Sequence, residues 1–136
     1  MSFTDGSIDE ALIILDIYIP GYRFIELKDE DVIRVYGVAV FVDEEMMQLT
    51  METFREICNG KRRKLFVDPT LEIGMTDEAR SLLKNELPAM ASALALMTNN
   101  VFTQISANLL MKVSNDDFKV KLFRDHEKAL DWVREQ

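Results

Sequence analysis

The sequence holds one cysteine, one histidine and one tryptophan in 136 residues, with three prolines and five glycines. A lone cysteine forms no internal disulfide, which suits a reducing compartment. One histidine and one cysteine also supply too few nitrogen and sulfur ligands for a zinc site. They leave any serine, threonine or cysteine nucleophile short of a base, because His126 is the sole imidazole. His126 follows Asp125 at the start of a predicted last helix and reads as an exposed first-turn residue. Cys58 falls at the buried end of a helical stripe, where a free thiol behaves as a small hydrophobe. The stretch "GMTDEA" has one glycine where phosphate-cradling loops have several. The acids at Asp43 to Glu45 and at Asp116 and Asp117 lack the spacing of a calcium-binding loop. These absences argue against an enzyme, a resident metal and a cofactor.

Positive charge is scarce too: 16 basic residues face 24 acidic ones, for a net charge of -8. Such a field repels a phosphate backbone, so nucleic acid is not the expected partner. The one basic run, Lys61 to Lys64 after Asn59 and Gly60, reads as a solvated corner between helix and strand. Long apolar runs are missing as well. "ALIILDIYI", Ala11 to Ile19, is about half the ~20 residues that span a bilayer, carries Asp16, and follows no basic leader segment. A cytoplasmic protein without a membrane span is expected.

What is present is an ordinary globular balance, 48% apolar and 29% charged, in a chain of single-domain size. Ala11 to Pro20 is too apolar to stand free and is expected to pack as an extra strand or a short helix, on the domain or on a partner. "YRFIEL" and "VIRVY" alternate with period two across "KDED", the pattern of an antiparallel hairpin. From Asp43 the period becomes helical: Met47, Met51, Phe54 and Cys58 share a face, Asp43 caps the start, and Asn59 and Gly60 stop the helix. "KLFVD" reads as a strand, and the helix behind Thr76 is expected to break or restart at Pro88. "SALALMT" suits either helix or buried strand. A turn at Asn99 and Asn100 precedes a helical stripe of Val101, Phe102, Ile105, Leu109 and Val113. "FKVKLF" is a strand, and a helix capped by Asp125 ends the chain. Strands alternating with helices predict a mostly parallel sheet covered by roughly four helices.

Three stretches carry a resemblance: "KLFVDPTLEIGMTDEAR", "ASALALMTNNVFTQISANLLMKV" and the ending "KVKLFRDHEKALDWV". Together they make residues 21–136 similar to the small bacterial STAS-like proteins, relatives of the anti-sigma-factor antagonists that also carry the label SEC14-like. Residues 1–20 fall outside the likeness, as an N-terminal extension. The resemblance implies an α/β sandwich, a mixed and mostly parallel β-sheet under helices. It also implies a site. In the partner-switching antagonists a hydroxyl at the start of the second helix is phosphorylated, and Thr76 is its positional match, with Asp68 ending the preceding strand. Asp77 and Glu78 stand where those proteins have small residues, and they would repel an added phosphate. The local reading of Thr76 is an N-cap.

The expected function is accordingly a non-enzymatic interaction or regulatory module, working through protein contacts or a homodimer at the loop Pro69 to Met75 and at Asp68, Thr76 and Asp77. The rival expectation is a carrier of a small apolar ligand or lipid. A dry pocket bordered by Met47, Met51, Met90 or Met111 would favour the carrier, and a solid core there would count against it.

Overall fold

The computed structural model describes residues 8–98 and 101–136, of which 101–103 by backbone alone. The two Asn residues at 99 and 100, where a turn is expected, lie outside the described residues, as do the side chains of Val101 and Phe102.

Alternating apolar residues build a meander of β1 (Ile13–Ile19), β2 (Tyr22–Leu27) and β3 (Val32–Gly37), with antiparallel pairing throughout. Gly21, at φ 100, makes the first turn in a conformation that side chains disfavour. The apolar opening segment is thus a 3-10 turn at Glu10–Leu12 followed by an edge strand. Then come β4 (Phe41–Val42), α1 (Glu44–Cys58), β5 (Arg63–Asp68), β6 (Gly74–Met75), α2 (Asp77–Met90), β7 (Ala91–Met97), α3 (Val101–Lys112), β8 (Lys119–Phe123) and α4 (His126–Arg134). The main sheet has the order β1-β2-β3-β5-β7-β8, and β3, β5, β7 and β8 run parallel. β4 and β6 form a separate two-stranded parallel ladder.

Strand parity divides the core into two layers. Tyr22, Phe24, Val35, Leu65 and Leu94 face one side, with Met47, Met51 and Phe54 of α1, Leu87 of α2 and Leu110 of α3. Ile25, Tyr36, Phe66, Ala93 and Ala95 face the other side, with Ala129, Leu130 and Val133 of α4. Three helix starts, those of α1, α2 and α4, have a side-chain oxygen acceptor for their free amides. Asp43 accepts from Met46 N, Thr76 from Ala79 N and Asp125 from Lys128 N. Asn59, at φ 48, ends α1 in the left-handed conformation.

Three expectations are corrected. α2 runs through Pro88 to Met90. The proline ring forfeits one bond near the helix end, and Ala91 N closes that end by donating to Leu87 O. The basic run is exposed at Lys61 and Arg62 yet is more than a solvated corner: Arg62 Nη2 donates to Pro88 O at 2.5 Å and to Ala91 O at 2.9 Å. Arg63 pairs with Glu26 at 2.7 Å, and Lys64 Nζ donates to Arg134 O at 3.1 Å. Among the described side chains of α3, Ala107 and Leu110 are buried, whereas Ile105 is 50% exposed. "SALALMT" is a strand because its neighbours β5 and β8 cover both its edges.

Candidate functional site

The helices α1, α2 and α3 do not seal the sheet face beneath them. They leave a cavity of about 70 Å³ whose walls include Met47 and Met51 of α1, Met75 of β6, and Leu94 and Leu96 of β7. That volume is several times the ~10–15 Å³ one water needs, and about half of a ~150 Å³ engineered cavity that binds benzene. Met90, although buried, does not line it, and Met111 is exposed on α3.

The polar end of the cavity comes from the loop between β5 and β6. Asp68 fixes the loop's beginning: its Oδ1 accepts from Thr70 N at 3.0 Å and from the Thr70 hydroxyl. Pro69 O then accepts from Glu72 N at 2.8 Å. Gly37 at the end of β3 allows the loop to lie close, since a Cβ there would meet Pro69 Cα at 3.2 Å and Glu72 Cβ at 3.4 Å. Further on, Ile73 N donates to Val40 O and Thr76 N to Val42 O, fastening the loop to the β4 segment.

So held, Glu72 lines the cavity together with Tyr22, whose hydroxyl donates to Glu72 Oε1 across 3.5 Å. Burial pushes the Glu72 carboxyl up to about 7, against the opposing pull of the Tyr22 hydroxyl and the Arg80 charge. Burial first, then the nearby Glu72, push the Tyr22 hydroxyl well above its ordinary value. The carboxyl therefore exchanges its proton near neutrality inside an apolar chamber. Cys58 is buried and its thiol is pushed up by burial, so it is not activated as a nucleophile.

The residues singled out from sequence make separate contacts. Asp68 is buried, and besides Thr70 it meets His126, whose Nε2 lies 2.7 Å from Asp68 Oδ2. Thr76 caps α2 through Ala79 N, and the exposed Asp77 pairs with Arg80 at 2.6 Å. None of these contacts joins Asp68 to Thr76 or Asp77. His126, expected to be exposed, is half-buried and packs its ring against Phe66 with centroids 5.4 Å apart. The sequence reading missed Glu72 and Tyr22. The available signal was thin, a single acid set between the apolar Leu71 and Ile73 in a loop. Among the described residues no group of three or more histidine, cysteine and acidic side chains is placed to hold a metal ion. No described helix is long and apolar enough to cross a membrane.

Among proteins of curated function, none matches the sequence. In fold, the chain is similar to an uncharacterized protein of the DUF3478 family with a SpoIIAA-like fold, from Shewanella loihica PV-4. The TM-score is 0.62 at 16% identity, over 82% of this chain and 91% of that one. The likeness shows the STAS-like α/β fold that the sequence resemblance implied. The model of a family described as a domain of unknown function, DUF7793, matches residues 25–136, and the chain belongs to that family.

Proposed function

We propose that this protein is a non-enzymatic binding module that holds a small apolar ligand between its sheet and the helices α1 to α3. The observation that carries this reading is the cavity beneath those helices, walled by Met47, Met51 and Met75 and lined also by Glu72 of the β5–β6 loop. Protein interiors are packed at crystal-like density, and a void larger than a water forfeits the contacts of its lining. A ligand restores those contacts, and methionines adapt to its shape. Native mass spectrometry of the protein as purified tests the reading. The expected result is a stoichiometric extra mass that disappears on denaturation. A bare protein mass, together with methionine methyl resonances that stay unmoved by small alcohols and aromatics, would overturn it.

A second reading is contact with a protein partner through the loop Pro69 to Met75, in keeping with a regulatory module. It is favoured by the exposure of Phe41 (54%), Leu71 (38%) and Ile73 (54%), which lie on or beside the β4 and β6 ladder. Leu71→Ser with Ile73→Ser should weaken such a complex without altering the fold. Unchanged sedimentation of wild type and variant as monomers would remove self-association from this reading.

A further inference from the structure

The cavity's chemistry says which ligands it accepts, an inference that rests on the ligand-binding reading above. We infer that it selects a compact, uncharged ligand of about four to six carbons with one hydroxyl at its polar end, seated on Glu72 and Tyr22, and that it rejects carboxylates of the same skeleton.

Size comes first. At about 70 Å³ the chamber takes a short chain or a small ring once the methionines shift, and it is too small for a long acyl chain. Polarity comes next. Four lining residues carry a polar side-chain atom, namely Tyr22, Thr50, Glu72 and Ser106, and none of the lining residues is a lysine, arginine or histidine. The Thr50 hydroxyl already donates to Met46 O at 2.8 Å, and the Ser106 hydroxyl points to the Met75 sulfur at 3.8 Å. Tyr22 and Glu72 remain, and their separation of 3.5 Å is the outer limit of a hydrogen bond. A ligand hydroxyl, which both donates and accepts, bonds to each at a better distance.

Charge decides between head groups. A carboxylate would bring a second negative charge beside Glu72 where solvent screening is weak. Arg80 is the cation whose charge reaches Glu72, but it lies outside the lining and is held by Asp77 at 2.6 Å. An ammonium would have to shed its own water to enter an apolar chamber in which one carboxyl is the single charged lining group. Occupation by an apolar body strips further water from Glu72 and therefore favours its protonated form.

The test titrates full-length protein carrying methyl-labelled methionine with 1-pentanol, pentanoate and pentylamine at pH 8, reading the methyl resonances of Met47, Met51 and Met75. Pentanol should shift all three, with pentanoate and pentylamine bound at least about tenfold more weakly, equivalent to ~1.4 kcal/mol. In Glu72→Gln, which keeps the side-chain shape and removes the charge, the gap between pentanol and pentanoate should shrink several-fold. The unperturbed spectrum of the variant will show that it is folded. Pentanoate or pentylamine binding as tightly as pentanol would overturn the head-group inference while leaving the ligand-binding reading standing. An undiminished gap in Glu72→Gln would overturn the role of Glu72. Silence from all three probes would overturn both.

Discussion

Tyr22 and Glu72 lie 50 residues apart in sequence, yet the Tyr22 hydroxyl reaches Glu72 Oε1 in the lining of an apolar chamber. Because burial raises the carboxyl from 4.5 to about 7 in the folded chain, the folded state binds more protons than the unfolded state between those values. Stability must therefore fall as pH rises through that window. Glu72→Gln removes the titration. The variant should match the wild type near pH 4 and exceed it by about 1–3 kcal/mol at pH 8, in urea unfolding curves taken at both values.

Glu30 has the opposite sign. Burial alone would push its carboxyl up, but hydrogen bonds and charge from Arg34 and Arg134 overcome this and hold it below the ordinary range. Arg34 Nε and Nη2 meet Glu30 at 2.8 and 2.9 Å, and Arg134 Nη2 meets it at 2.9 Å. This stabilisation is present above the unfolded value and is lost as pH falls through the folded one. Glu30→Gln should cost about 2–3 kcal/mol at neutral pH, less than the ~3–5 of a fully buried pair because Arg134 is exposed. The cost should shrink on acidification, as followed by circular dichroism.

His126 joins the first turn of α4 to Asp68 at the end of β5. His126→Ala leaves a buried carboxylate with Thr70 as its remaining described partner, at a cost of about 1–2 kcal/mol. Amide exchange should accelerate in the first turn of α4 and stay unchanged in α1. Equal acceleration in both helices would show global loosening and refute a local latch.

Thr76 accepts the Ala79 amide at the start of α2. Thr76→Ala should cost about 1 kcal/mol and Thr76→Ser almost nothing, by thermal unfolding. A similar loss in both would show that the methyl group, and not the hydroxyl, does the work.

Local chemistry was the legible part of this molecule. Asp43, Thr76 and Asp125 cap helices because their side chains reach amides three residues on, an interaction written entirely in short sequence windows. The hairpin of β2 and β3 and the alternating order of later elements followed from periodicity. The cavity did not, because a void depends on how far three helices stand from a sheet, and no window holds that distance. Met47 and Met51 fell on the expected helix face, but the sequence offered no reason to prefer a hollow to a filled core. Arg62 was misread because its partners, Pro88 O and Ala91 O, lie 26 and 29 residues ahead. His126 was misread for the same reason, with Asp68 58 residues behind it.

β7 is a partition with unlike rooms on its two sides. Leu94 and Leu96 project into the cavity, while Ala93, Ala95 and Met97 form the floor under α4. The alanines let that helix settle flush, so enlarging either one would lift α4 off the sheet. Trimming or enlarging Leu94 or Leu96 alters the chamber alone. Adjacent positions on one strand thus have independent consequences, and the volume of the chamber becomes adjustable by single substitutions that leave the opposite layer undisturbed.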